Sequence, residues 1–488
     1  MRVLKVRANR SAPLDAEISR GAPHTLGMRT TSVPSSPSLR REVGLGGAVA
    51  LGLGSMIGTG VFVSIGIAAG IAGPAVIIAI VVAAFVALCN AMSSAQLAAI
   101  HPVSGGTYEY GYLRLHPAAG FTAGWMFLCA KSASAATAAL GFSAYLLGVM
   151  GADSGRWGAV VAVAAVCIIT VLVLSGIRRS NVANMVIVAV SVGTLLALVV
   201  ACFPAAMRSA GDHLLPMFPE SAGPEQAGGT GGAWGAWWEG MLHSAALMFV
   251  AFTGYGRLAT LGEEVHEPRK TIPRAILVTI ALTAALYIAV AGVAVGVLGS
   301  EALGAATRGG GAPLEAVARA GSGELLARVI AIGAIAGMLG VLLNLVLGLS
   351  RVMLAMGRRG DMPRAVARLD AANTTPWVAV LVVGAAIALL AGLGSIRTAW
   401  SFSAFTVLIY YAITNVAALR LGADERRFHP IFAWVGLVGC LGLAFWVEPR
   451  IWGVGLGVIA AGLAWHAVAG RVAQRAGAEG GAGSSGRP

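Results

Sequence analysis

Charge is what this sequence has least of: Asp, Glu, Lys and Arg make up 11% of its 488 residues. A soluble chain of this length needs far more to cover its surface. Acids are the scarcer sign, 21 against 34 Lys and Arg, and no Asp or Glu lies inside a long apolar run. Cysteine is sparse as well. Cys89, Cys129, Cys167, Cys202 and Cys440 stand singly and far apart in apolar surroundings. Without CxxC or Cys/His spacing they exclude a disulfide framework and a zinc site, and read as small buried hydrophobes. There is no Walker-type phosphate loop, no GxSxG and no Ser/His hydrolase arrangement. His101, His116 and His213 sit at loop edges without metal-ligand spacing. No catalytic residue, metal, cofactor or ATP hydrolysis is therefore expected.

What is present is apolar length. The chain is 57% hydrophobic, and runs such as 159–174 and 276–298 carry no charge at all. About 20 such residues cross the hydrocarbon core as a helix. Twelve spans are expected, near 44–70, 74–99, 118–149, 157–176, 183–204, 241–262, 274–299, 325–355, 376–394, 399–420, 430–447 and 451–469. Spans 3 and 8 exceed the bilayer requirement, so tilt or extension into water is expected. The net charge of +13 invites a nucleic-acid reading, but the cations do not cluster as on a soluble basic face. They fall in the tails and between the apolar runs. With alternating loops and the N-terminus inside, 25 of the 34 Lys and Arg collect on the inner side. Arg114, Arg178, Arg179, Arg269, Lys270, Arg358, Arg359, Arg426 and Arg427 are among them. Both termini are thus expected in the cytoplasm of a cell-membrane protein. Residues 1–40, rich in Arg, Ser and Pro, lack the apolar centre of a cleaved signal and read as a disordered tail, with Met28 a candidate start. The tail 473–488 reads likewise.

Span 1 contains Gly52-Leu53-Gly54-Ser55-Met56-Ile57-Gly58-Thr59-Gly60-Val61-Phe62. Four glycines in nine residues permit non-helical backbone, or else close helix packing. Unwound backbone inside a membrane is tolerable where it lines a cavity, and there it can hold a carboxylate and an ammonium. Span 6 decides between these readings. It runs Phe249-Val250-Ala251-Phe252-Thr253-Gly254-Tyr255-Gly256-Arg257 and continues to Glu263-Glu264-Val265-His266-Glu267-Pro268-Arg269-Lys270-Thr271-Ile272-Pro273-Arg274-Ala275-Ile276. A second glycine-interrupted span five helices on is what a five-plus-five inverted repeat requires.

These two stretches resemble signatures of the amino acid–polyamine–organocation superfamily, G-S-x-I-G-[ST]-G-[IV]-F and F-F-A-F-x-G-[FY]…E-E-V-x-N-P-x-R-x-I-P-R-A-I. Two further segments agree with it: Pro102-Val103-Ser104-Gly105-Gly106-Thr107-Tyr108 with Gly120-Phe121 and Gly124-Trp125, and Ala355-Met356-Gly357-Arg358-Arg359-Gly360-Asp361-Met362-Pro363. The resemblance covers spans 1 to 8. It implies an all-α integral membrane protein of twelve helices with broken helices 1 and 6, a LeuT-like inverted repeat. The first repeat is 41–204, the second 241–421, and helices 11 and 12 occupy 430–469, all within a transporter domain 41–472. It implies secondary transport of an amino acid, with H⁺ or Na⁺ as candidate coupling ions and a polyamine permease or a non-transporting receptor as rivals. By position, Ser55, Met56, Ile57, Gly58, Thr59 and Gly60 receive the substrate carboxylate. Phe252, Thr253, Gly254 and Tyr255 offer carbonyls and an aromatic gate.

Two departures bear on coupling. Gly256 and Arg257 stand where relatives carry an acidic and then a small residue, and Ser191 stands where proton-coupled relatives carry a lysine on span 5. Lys131 appears instead on span 3. An ionisable residue this deep costs about 2.5 kcal/mol or more on insertion scales. Three roles are open to it: a desolvated amine that exchanges a proton during the cycle, a contact to a substrate carboxylate, or a side chain snorkelling along a polar cavity. Arg257 could meet an anionic group or pair with Glu263 or Glu264, although a separation of six or seven residues weakens a direct bridge; a gating or structural role is expected over substrate reading. Asn344 on span 8 is a further coupling or gating candidate, with interhelical hydrogen bonding the simpler use.

Overall fold

The computed structural model describes residues 43–101, 105–175, 181–218, 232–259, 265–308, 312–370 and 375–482, of which 181–183, 232, 259 and 470–482 as backbone alone. The tail expected over 1–40 lies outside them. Among the described residues the structure is helical without a strand, and one bridge joins Val43 to Val265.

Span 1 is divided into α1 (Leu45–Met56), α2 (Thr59–Phe62) and α3 (Ser64–Ala72). Span 2 is α4 (Val76–Ile100). A short α5 (Thr107–Arg114), too polar to appear in the apolar pattern, precedes span 3, α6 (Pro117–Met150). Spans 4 and 5 are α7 (Ser154–Leu174) and α8 (Asn181–Arg208), with one further turn, α9 (Ala210–His213). Span 6 starts well before residue 241. It comprises α10 (Gly232–Phe252), a 3₁₀ turn (Thr253–Tyr255) and α11 (Gly256–Ala259). Span 7 is α12 (Pro268–Leu298). The segment after it folds into α13 (Ser300–Arg308) and α14 (Pro313–Ser322), which bury Leu303, Leu314 and Val317. Then come α15 (Glu324–Arg359), α16 (Trp377–Leu393), α17 (Ile396–Leu419) and α18 (Pro430–Ala444). Last is α19 (Pro449–Ala482), helical past residue 473, where a tail was expected. Eight stretches among the described residues are long and apolar enough to cross a membrane, and α1, α16 and α18 are shorter apolar helices.

Local chemistry explains the helix ends. Pro117 sits in the first turn of α6 behind His116, whose Nδ1 accepts from the Ala118 N–H at 3.3 Å. Gly151, at φ 65°, closes the same helix in the left-handed region. The Asp153 carboxylate then caps α7, accepting from the Gly155 N–H at 2.8 Å. As expected, α6 and α15 are long, with 34 and 36 residues. At 1.5 Å per residue both exceed the ~30 Å core.

Helices α6 and α17 form the centre: 72% of the most apolar stretch of each is buried, against 17% for α19. The reason is side-chain size. The buried face of α6 includes Ala130, Ala133, Ala135, Ala136, Ala138, Ala139 and Gly141, which let neighbouring backbones approach closely. Large apolar side chains such as Val160, Ile168 and Val171 on α7, Val200 on α8 and Leu389 on α16 point outward, toward lipid.

Loops sort to two ends of this bundle. At one end the His266 N–H donates to the Val43 carbonyl at 3.0 Å, Arg427 reaches the Arg269 carbonyl at 2.6 Å, and Arg114 pairs with Glu425. At the other, Ser209 and His213 bond the Gly296 carbonyl at 3.0 and 2.8 Å, and Arg397 pairs with Glu448.

Candidate functional site

The chain between α1 and α2 leaves the helical path at Ile57 (ψ 107°) and Gly58 (ψ −125°). The Ile57 N–H still bonds the Leu53 carbonyl at 2.8 Å, and then the ladder stops. No side chain caps α2, so its leading N–H groups face the break. The Tyr287 hydroxyl, on α12, donates to the Met56 carbonyl at 2.7 Å. Gly60 lies against α10 so closely that a Cβ there would sit 2.6 Å from the Ala251 Cβ.

The span 6 break is tighter than an unwound loop: a single 3₁₀ turn, with helix on either side. Its Gly254 abuts the other break, and a Cβ there would lie 2.5 Å from the Ser55 carbonyl oxygen. The two interruptions are therefore pressed together, which only a glycine allows. The Thr253 hydroxyl donates to the Val250 carbonyl at 2.7 Å, and Tyr411 on α17 donates to the Thr253 carbonyl at 3.2 Å.

Between the breaks lies a cavity of about 40 Å³ lined by Ser55, Met56, Thr59, Gly60, Lys131, Ser134, Val250, Ala251, Thr253, Val341, Leu345 and Trp400. That holds about two or three waters. Lys131, 9% exposed, aims its Nζ at Thr253 Oγ1, 2.7 Å away. Ser134 is tied to Ser403 at 2.8 Å, and the Trp400 indole to the Leu247 carbonyl at 3.0 Å. Thr59 Oγ1 is buried without a hydrogen-bond partner. Among the described residues no carboxylate pairs with Lys131, and no three His, Cys, Asp or Glu side chains group as a metal site.

The same stretch that holds both breaks also matches a known sequence pattern. The family model described as amino acid permease fits residues 43–467.

The chain belongs to the amino acid permease family.

Its relatives are transporters, so the permease is a multi-pass membrane transporter and not an enzyme. An uncharacterized transporter of Mycobacterium tuberculosis is 42% identical over 443 residues, 90% of this chain and 93% of the relative. The branched-chain amino acid permease of Bacillus subtilis is 30% identical across 83% of this chain and 86% of its own. A methylthioribose transporter of the same organism is 27% identical, covering 83% and 85%.

The permease brings Ser55, Met56, Thr59, Gly60, Thr253 and Lys131 to one cavity. It places others behind it. Ile57 and Gly58 back onto α15, where a Cβ on Gly58 would meet Val341 at 2.6 Å. Phe252 packs on Tyr287 with ring centres 5.3 Å apart, and Tyr255 on Tyr411 at 5.3 Å, both fully buried. Ser191 lies outside the cavity wall too. Its hydroxyl donates to the Gly333 carbonyl at 3.2 Å, on the side of α15 where Gly337 faces the Ile57 carbonyl. Asn344 is buried with its Oδ1 unpartnered. Arg257 is half-buried on α11 and engaged, while Glu263 and Glu264 lie outside the described residues. Ser134, Val250, Ala251, Val341, Leu345 and Trp400 were not anticipated. They are ordinary span residues, and their sequence carries no mark of the wall they form.

One cluster escaped sequence reasoning although its motif was in view. Asp361, in the turn after α15, accepts from the hydroxyls of Tyr108 at 2.7 Å and of Tyr112 at 2.8 and 2.7 Å. The His466 Nδ1 stands 3.2 Å from the same carboxylate, and the Trp465 indole donates to the Asp361 carbonyl at 2.9 Å. Arg359 lies over both tyrosine rings, at 5.2 and 4.1 Å from their centres, and bonds Glu109 at 2.7 Å. This clamp joins α5, α15 and α19 at one end of the bundle.

Proposed function

We propose that the permease carries an amino acid across the cytoplasmic membrane by alternating access, driven by an ion or exchange gradient. The observation that carries this reading is the meeting of two helix breaks on one small cavity. The backbone N–H groups at the start of α2, left uncapped by any side chain, can bond a carboxylate. The carbonyls of α1 and α10 around it suit an ammonium. One face of the cavity thus matches the charge pattern of an α-amino acid. The paired breaks on spans 1 and 6 support the five-plus-five inverted repeat of twelve helices, with 41–472 as one transporter domain. Orientation follows from the basic loops: the bundle end holding Arg114, Arg269, Arg359 and Arg427 faces the cytoplasm, with both termini. Ser191, Asn344 and Arg257 serve gating or coupling around the breaks rather than direct contact. A polycationic substrate is disfavoured, because the cavity holds a cation and no acid.

A cavity this size must widen to take any amino acid, so binding and movement of α2 against α10 are one event. The test is a thermal-shift panel of amino acids and polyamines on the purified protein, since a ligand that binds the native state raises its melting temperature. A rise with at least one amino acid is expected. Stabilisation by polyamines alone would overturn the reading.

A further inference from the structure

The amino-acid reading leaves one group in the cavity without a task. An α-carboxylate and α-ammonium carry no net charge together, and the backbone groups freed at the two breaks can bond both. Lys131 stands on another wall, projecting from α6, and adds a charge that neither backbone element answers. Its ammonium has three N–H donors. One goes to Thr253 Oγ1 at 2.7 Å, and that hydroxyl spends its own hydrogen on the Val250 carbonyl. The lining also includes Val341, Leu345 and the Trp400 ring, whose indole N–H is already committed to Leu247, and the hydroxyls of Ser55, Thr59 and Ser134. The Lys131 ammonium makes no hydrogen bond to any of these side chains. A buried ammonium with unspent donors and no carboxylate is expensive until an acceptor arrives.

We infer that the permease selects amino acids carrying a second carboxylate, of the aspartate or glutamate kind, with that side-chain carboxylate received by Lys131. Resting on the amino-acid reading, this names the substrate class of the same site. The complex then closes its charge balance: the dicarboxylate contributes one net negative charge and Lys131 one positive. Thr253 keeps Lys131 in place in the meantime, as a neutral acceptor that a carboxylate outcompetes. A cationic side chain would set two like charges together in a water-poor pocket and is refused. A neutral aliphatic side chain fits the apolar walls but strands the ammonium.

Counterflow into proteoliposomes tests this without knowledge of the coupling ion. Vesicles loaded with unlabelled L-aspartate, L-leucine or L-lysine are diluted into the same labelled amino acid, using wild type, Lys131→Met and Lys131→Arg. Wild type is expected to accumulate aspartate about tenfold or more over leucine, and lysine not at all, the factor one charged hydrogen bond supplies. Lys131→Met should lose aspartate by a similar factor and gain leucine, while Lys131→Arg keeps aspartate preferred. Because Lys131→Met removes a polar group from the interior, its melting temperature is measured alongside, and Lys131→Arg carries the test should Lys131→Met fail to fold. Leucine favoured by wild type, or a Lys131→Met profile equal to wild type, overturns the inference and leaves amino-acid transport standing. No accumulation of any amino acid by wild type overturns both.

Discussion

The cavity between the breaks and the clamp around Asp361 are both polar, yet they are built in opposite ways. In the clamp every partner is a side chain with a committed mate: two tyrosine hydroxyls, an imidazole and an arginine converge on one turn. In the cavity the polar side chains of Ser55, Thr59, Lys131, Ser134 and Thr253 stand beside backbone N–H groups freed where a helix stops, and the Thr59 hydroxyl is unanswered. A satisfied network fixes geometry; an unsatisfied one waits for a ligand. The difference separates the part of the molecule that holds it together from the part that works.

Substitutions can break that contrast. The largest effect is expected from Gly60→Val, whose side chain would drive α2 away from Ala251 and from the Tyr287 hydroxyl, 3.2 Å from the Cβ position. Misplacing one wall of the site should cut counterflow on the order of a hundredfold, with a smaller change in melting temperature. A loss of stability with transport retained would make the cavity ordinary packing. Asp361→Ala attacks the clamp. It leaves two tyrosine hydroxyls without their acceptor and should lower unfolding stability by about 3 kcal/mol, read by thermal or denaturant melts, while ligand selectivity stays as in wild type. A changed selectivity would tie the clamp to the site.

The mildest effect comes from acid, at the neighbouring contact of Arg114 with Glu425 and His101. The Arg114 Nε–H donates to the His101 Nε2 at 2.9 Å, so that nitrogen must stay unprotonated. Burial, and then the Arg114 charge, pull the His101 pKa below its ordinary 6.5. Hydrogen bonds from Arg114, and then from the Gly422 N–H, hold Glu425 below the usual carboxylate range. Both folded pKa values are depressed. Their stabilisation is complete above the ordinary values and is lost as pH falls through the folded ones, His101 first. Melting temperature should be level above about pH 6.5 and decline below it. His101→Gln should flatten the upper part of that decline, and an unchanged curve would remove His101 from the account.

The spans and the glycine breaks were legible because hydropathy and backbone freedom are local properties. The glycines of span 1 alone left unwinding and close packing open; set beside those of span 6 they read as a break, though whether the chain would unwind or tighten could not be read, and span 6 tightened. Lys131 was visible as an anomaly, but its partner was not. Thr253 is 122 residues away, and no spacing rule connects α6 to α10. The Asp361 clamp was missed for the same reason: Tyr108, Asp361 and His466 meet only after three helix ends converge. The short α5 was hidden by its polarity, since a span search looks for apolar length.

Tyr287 gives the two breaks a shared bookkeeper. Its hydroxyl lies 2.7 Å from the Met56 carbonyl of the first break and 3.4 Å from the Ala251 carbonyl of the second. A phenol has a single hydrogen to give, so it settles on Met56 and only skirts Ala251. Two interruptions that look symmetric along the chain are thereby made unequal: α12 anchors the first break by a short bond and merely leans on the helix that leads into the second.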